Sequence, residues 1–145
     1  MKIVLQRVHN ARVEVDGETV GSIGKGYVAF LGVAEGDDKR TVEKMADKIA
    51  RLRIFADADG KTNLAAHDVG GEILVVSQFT LMADLTSNRP SFSSAAKAEA
   101  AKELYEYFLE QCKGKFVKAA GGRFAAHMRV YSDNDGPFTL ILGGT

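Results

Sequence analysis

The sequence predicts one α+β domain over residues 1–145, with a largely antiparallel, barrel-like β core and two helices packed on it. Three observations carry this expectation. Alternating or wholly apolar segments recur along the chain between Gly, Asp and Asn turn signals. Only two stretches, one following Asp38 and one following Ser94, change to helical spacing. No linker, repeat or low-complexity segment divides the chain, and 145 residues fold as about one domain.

Taken in order, Met1 to Val8 reads as a first strand. Ala11 to Val15 alternates, with Val13 and Val15 to one side and Arg12 and Glu14 to the other, and meets Asp16-Gly17, a short-hairpin signal. A strand through Val20 and Ile23 follows, then the turn Gly24-Lys25-Gly26. The run Tyr27 to Ala34 has no polar face, so it is expected to be covered on both sides. Val42, Met45, Ala46, Ile49 and Leu52 fall at helical spacing behind Asp38, an N-cap residue type.

A short strand, Arg53 to Phe55, enters the turn formers Ala56 to Gly60. Gly70-Gly71 precedes the strand Glu72 to Thr80, apolar over Ile73 to Val76 and polar at its end. Asp84 to Ser94 reads as loop, with Pro90 barring regular structure. Ser93 or Ser94 is expected to cap a helix from Ala95 to Gln111, stopped by Gly114. Phe116 to Lys118, Ala126 to Tyr131 and Phe138 to Leu142 read as closing strands, the last two joined by a turn at Asp133 to Pro137.

Composition narrows the function classes. With 46% apolar and 26% charged residues, disorder, collagen, coiled coil and a disulfide scaffold are excluded. The longest apolar run, Tyr27 to Ala34, falls far below the roughly 20 residues of a membrane crossing, so no membrane partner is expected. The N-terminal segment lacks a signal peptide's apolar stretch, and the lone Cys112 suits a reducing compartment. A cytoplasmic location is expected. Nineteen basic residues balance nineteen acidic ones. Neutrality argues against an extended nucleic-acid footprint and leaves room for a small one, such as the end of a strand. Local basic density exists at Lys39, Arg40, Lys44, Lys48, Arg51 and Arg53, and at Lys113, Lys115, Lys118, Arg123 and Arg129. Solvated faces account for most of these.

Several motif fragments fail when taken whole. Gly60-Lys61-Thr62 matches the tail of a P-loop, but Phe55 stands at the required leading glycine. Asp57 and Asp59 open like a calcium loop that Lys61 and Thr62 break. Gly21 to Gly26 has its glycines in the wrong order for a dinucleotide fingerprint. Ser94-Ala95-Ala96-Lys97 and Ser132-Asp133-Asn134 match two of three serine acyl-enzyme signatures, and the third is missing. His9, His67 and His127 are widely spaced, so no metal site and no cofactor are expected. Cys112, near a helix end, reads as packing rather than as a nucleophile.

Two segments retain chemical promise. Ser77-Gln78-Phe79-Thr80 places hydroxyls, an amide and backbone N–H groups where a buried strand ends, a setting for binding a carbonyl or an oxyanion, or simply a strand end. In Asn134-Asp135-Gly136-Pro137-Phe138-Thr139, Gly-Pro gives a stiff corner without a side chain at Gly136, so a ligand can approach the main chain. The alternative there is a plain hairpin turn.

At these residues the sequence resembles the D-aminoacyl-tRNA deacylases. The likeness takes in Gln6-Arg7-Val8, Val13 to Gly17, Gly24-Lys25-Gly26, Lys48 to Phe55, Asp68 to Gly71, Ser77 to Leu81, Arg89 to Phe92 and Asn134 to Pro137. The resemblance implies a homodimer that hydrolyses the ester between a D-amino acid, or glycine, and the 3′ end of tRNA while rejecting L-aminoacyl-tRNA. It implies that a cis Gly136-Pro137 reaches into the partner's pocket, holds the α-amino group through backbone carbonyls and excludes an L side chain. Arg7 is implied to brace that corner, and Ser77, Gln78, Phe79 and Thr80 to line the ester and the adenosine. The chain departs from the family at Phe124-Ala125, where glycine usually follows phenylalanine, at Ser132-Asp133, where apolar residues are usual, and at Phe138, where valine is common.

Overall fold

A computed structural model of the chain describes residues 1–143. Its α+β architecture is a nearly closed six-stranded sheet with helices packed on the outer face. Strands β1 (Lys2–Val15), β2 (Glu18–Ile23) and β3 (Gly26–Gly32) come first, and β1 pairs antiparallel with both others. Asp16 and Gly17 both have positive φ, 51° and 81°, as the tight turn between β1 and β2 requires. Two separate strands were expected across His9-Asn10; β1 is instead continuous. Register slips on either side of Val8 let it bend, so its first half lies beside β3 and its second beside β2.

Helix α1 (Lys39–Arg51) forms as expected behind Asp38, whose carboxylate accepts the Thr41 N–H at 2.9 Å. That bond holds the Asp38 carboxyl below its usual range. Val42, Ala46 and Ile49 form the buried face. Strands β4 (Phe55–Ala56) and β5 (Thr62–Leu64) pair antiparallel around a turn in which the Asp57 carboxylate accepts the N–H groups of Asp59 and Lys61. The incomplete P-loop and calcium-loop fragments are therefore turn chemistry. A third helix, α2 (Ala66–Val69), was not expected; four residues are too few to show a period.

Strand β6 (Glu72–Ser77) lies parallel to β3, and β7 (Ala119–Gly121) parallel to β6. These parallel pairs stand beside the antiparallel pairings of β1, because both connections cross over through a helix. Coverage on both faces explains the runs without a polar side. Tyr27, Ala29, Leu31, Ile73 and Val75 point into the core beneath the helices, while Val28, Leu74 and Val76 join Val8, Val13 and Ile23 inside the barrel. The barrel closes where β2 meets β7: a methyl on Gly21 would overlap the Gly121 carbonyl.

Helix α3 (Ala98–Lys113) starts three residues later than expected, at Lys97 rather than at a serine cap. The preceding residues are committed elsewhere. The Ser94 carbonyl accepts the Glu35 N–H, the Ala96 N–H donates to Val33, and the Ser94 hydroxyl donates to the Met82 carbonyl at 3.0 Å. The strand expected at Phe116 to Lys118 is displaced to β7, with Phe116 buried in the core.

The largest correction concerns β8 (Arg129–Gly143). Two strands joined by a hairpin turn were expected. Both halves instead pair antiparallel with β1, from Glu14↔Arg129 to Val8↔Asn134 and from Gln6↔Thr139 to Lys2↔Gly143. Asp135 to Phe138 stand against the single Arg7 and arch out as a bulge. An edge strand tolerates this, because a proline there leaves no interior ladder bond unmade.

Candidate active site

Ser77 ends β6 opposite Leu31 of β3. The Gln78 N–H donates to the Leu31 carbonyl at 2.8 Å, and the chain then tightens into a 3-10 turn over Phe79–Met82. The turn packs closely on the end of β3, where a Cβ at Gly32 would press on Leu81 and the Gln78 carbonyl. Among the described residues the Phe79 and Thr80 N–H groups have no backbone acceptor, as expected at the start of a helical turn. The Gln78 amide donates to the Thr80 hydroxyl. The Phe79 ring is 56% exposed and stands edge-on to Phe92 with centroids 5.0 Å apart.

Ser77, Gln78 and Phe79 open onto a cleft of about 640 Å³, which Phe92, Phe124 and His127 also line. Thr80 lies just outside it. The cleft sits at the C-terminal ends of the parallel strands β3 and β6. Its wall is largely apolar, and its polar side chains are Ser77 and Gln78 on the rim at the end of β6 and His127 from a separate segment. Sequence reasoning missed Phe124 and His127 because they reach the cleft from segments distant in the chain. Ala125, beside them, has φ of 65°, a left-handed conformation that favours the glycine usual in the family.

The second group lies at the β8 bulge. The Gly136-Pro137 bond is cis, both residues are exposed, and Gly136 has φ of 129°. Arg7 spans the bulge from β1. Its Nε donates to the Asp135 carbonyl at 3.1 Å and lies 3.3 Å from the Asp135 carboxylate, while another guanidinium N–H donates to the Ile54 carbonyl. The same guanidinium lies 4.7 Å from the centre of the Phe138 ring. His9 Nε2 is 3.6 Å from the other Asp135 oxygen. Arg7, Gly136 and Pro137 are thus brought together, as are Ser77, Gln78 and Phe79.

The two groups do not meet within one chain. Arg7 is four residues along β1 from Ile3, which is level with Leu31 and Ser77, and β8 is three strands from β6. At strand spacings this places the corner on the order of 15–20 Å from the rim.

The remaining nucleophile candidates are engaged otherwise. Cys112 is fully buried, and burial pushes its thiol up to about 12, so no thiolate forms near neutral pH. Ser94 spends its hydroxyl on the Met82 carbonyl. Among the described residues no three His, Cys, Asp or Glu side chains gather as metal ligands, and no helix is long and apolar enough to cross a membrane.

An apolar cleft with a few polar groups at its edge is the layout of a small-molecule site, and comparison with known proteins makes the class specific. The D-Tyr-tRNA(Tyr) deacylase family matches residues 4–143. A D-aminoacyl-tRNA deacylase of Lactobacillus acidophilus is 50% identical over 98% of this chain and 99% of its own length. That of Dehalococcoides mccartyi is 52% identical, over 98% and 94%. Among solved structures, the c-Myc DNA Unwinding Element Binding Protein superposes with a TM-score of 0.93 at 40% identity, covering 100% of this chain and 99% of that one. A probable eukaryotic D-amino acid tRNA deacylase shares the fold, with a TM-score of 0.83 at 13% identity over 97% of each chain. The chain belongs to the D-aminoacyl-tRNA deacylase family, a family of hydrolases.

Proposed function

We propose that the protein hydrolyses the ester linking a D-amino acid to the 3′-terminal adenosine of tRNA, releasing free amino acid and tRNA. Beyond family membership, the observation that carries this reading is the rim over the cleft. The N–H groups of Phe79 and Thr80, without a backbone acceptor among the described residues, are donors free to serve an oxyanion, beside a pocket of the size that takes an aminoacyl group. Ser77 and Gln78 line the ester, and the exposed Phe79 ring offers a face to the adenine.

An aminoacyl ester is already activated, so modest help suffices. Water attacks the carbonyl carbon, assisted by the substrate's own ribose 2′-hydroxyl. The oxyanion rests on the Phe79 and Thr80 N–H groups, and the 3′-oxygen leaves with a proton. Thr80 has no base beside it, only the Gln78 amide, which supports water rather than the threonine hydroxyl as the nucleophile.

Handedness is judged by the corner. Gly136 and Pro137, braced by Arg7, hold the substrate's α-amino group with backbone carbonyls and leave no space for an L side chain, so any D side chain is tolerated. Glycine has no side chain to exclude, so glycyl-tRNA is also cleaved. An exposed corner lying far from its own rim supports a homodimer in which each copy lends its corner to the other's cleft. The protein works in the cytoplasm, beside its tRNA substrates. Incubation of purified protein with D-Tyr-tRNA tests the reading: free tyrosine is expected, and a protein that binds the tRNA without releasing tyrosine refutes it.

A further inference from the structure

Helix α1 carries a charge pattern that the site above does not use. Five cations stand against two carboxylates along it, although the whole chain is neutral. Arg40, Lys44 and Lys48 follow one another at four-residue spacing, and Arg51 continues the line one turn on. This row lies on the side of the helix opposite the buried Val42, Ala46 and Ile49, and all four side chains are exposed.

Neighbouring charges are occupied in different ways. Arg51 is paired with Asp47 at 3.3 Å, Lys115 reaches the same carboxylate at 4.0 Å, Arg53 is bound to Asn63, and Lys39 lies over the Tyr107 ring. Lys113 is paired with Glu110. Among the described residues Arg40, Lys44 and Lys48 have no carboxylate partner within 4 Å. Asp38, the acid next to Arg40, is committed to the helix cap. Two shallow grooves flank the row and share Lys44.

The adjacent helix has the opposite character. α3 packs beside α1 and carries four carboxylates against two lysines. An anionic polymer is thus drawn to α1 and turned away from α3. The row is tied to the cleft wall through the chain, since Val33 lines the cleft and Arg40 follows seven residues later; the first turn of α3 lines the cleft as well, through Ala98 and Ala101. The row then runs about 12 Å from Arg40 to Lys48.

We propose that Arg40, Lys44 and Lys48 form the docking surface for the tRNA acceptor arm, contacting backbone phosphates while the 3′ end enters the cleft. The proposal rests on the tRNA-ester reading above and adds the surface that holds the rest of that substrate. Phosphate contacts position without reading sequence, so this surface serves tRNAs of differing sequence alike. It also reconciles a neutral chain with an RNA substrate, since a few well-placed cations suffice for a short footprint.

The test compares the wild type with the triple variant R40E/K44E/K48E in three measurements: affinity for uncharged tRNA as a function of salt, deacylation of D-Tyr-tRNA, and deacylation of 3′-O-D-tyrosyl adenosine, which lacks the arm. Expected for the variant are an affinity for tRNA at least tenfold weaker and a log–log salt slope smaller by about two to three, near 0.7–0.9 per lost phosphate contact. KM for D-Tyr-tRNA should rise correspondingly with kcat little changed, and cleavage of the adenosine ester should stay within about twofold. Unchanged affinity and an unchanged salt slope overturn the proposal. Should the triple variant lose both substrates alike through misfolding, the single variant Lys44→Gln decides by the same criterion, with a weaker affinity and a slope smaller by about one expected. Binding of uncharged tRNA needs no turnover. A wild-type protein that binds tRNA through this row but cleaves neither ester therefore sinks the catalytic reading and leaves the docking surface standing.

Discussion

Arg7 holds Asp135 twice, through the backbone carbonyl at 3.1 Å and the carboxylate at 3.3 Å, from the one β1 position that faces the β8 bulge. With only 13% of its side chain exposed, it also fills space against Phe138. Arg7→Met keeps the bulk and loses the charge-assisted bonds. It is expected to lower stability by about 2–3 kcal/mol in denaturant unfolding. It should also narrow the ratio of D- to L-Tyr-tRNA cleavage, because the corner is no longer fixed. A variant that unfolds at the wild-type denaturant concentration and discriminates as well would remove Arg7 from the account.

The proposed division of the site between two copies predicts complementation. A Cβ at Gly136 would lie 3.0 Å from the Phe138 nitrogen and 3.3 Å from the Arg7 guanidinium, at a φ that side chains rarely adopt. Gly136→Ala should therefore spoil the corner and lower kcat/KM at least tenfold. Ser77→Phe should fill the cleft. Unfolded together and refolded, the two variants form hybrids that carry one intact site, and roughly a quarter of wild-type activity is expected from random pairing. No recovery would place corner and rim in the same copy.

The absence of a base beside Thr80 sets a third expectation. Thr80→Ala retains activity within about tenfold, while D-Tyr-tRNA ending in 2′-deoxyadenosine is cleaved at least a hundredfold more slowly, the lower end of a general-base contribution. The reverse pair of results restores a side-chain nucleophile.

Two buried tyrosines behave differently although burial raises both phenols above the ordinary 10.0. For each, the folded protein keeps a proton that the unfolded chain gives up above that pH. Stability is therefore full below it and falls as pH rises beyond it. Tyr105 donates to the Val75 carbonyl at 2.9 Å, whereas the Tyr27 hydroxyl has no partner among the described residues. Tyr27→Phe should be neutral or stabilising by up to about 1 kcal/mol and should weaken the alkaline fall, while Tyr105→Phe should cost about 1 kcal/mol. Thermal unfolding from neutral to strongly alkaline pH checks both.

Local patterning in the sequence carried the fold class, helix α1 with its Asp38 cap, the hairpin at Asp16-Gly17 and the doubly covered β3. Each is encoded within a few neighbouring residues. The misreadings share one cause. Asn134 to Pro137 have turn chemistry, and turn chemistry does not say whether the chain reverses or bulges; only pairing of both flanks with β1 decides that. Ser94 looked like a helix cap, yet its backbone and hydroxyl are claimed by Glu35 and Met82. In the candidate site, the segment Ser77 to Phe79 that lines the cleft was legible because a strand turns polar at its end, while Thr80 lies just outside the cleft. His127 and Phe124 were not, since nothing local marks a residue that reaches the cleft through tertiary folding.

Cleavage rates of D-Tyr-tRNA, L-Tyr-tRNA and glycyl-tRNA, measured side by side with the wild-type protein, bear most directly on the proposed selection by a bare main-chain corner. Release from the D and glycyl esters with the L ester left intact is the predicted result. Equal release from the D and L esters would contradict it.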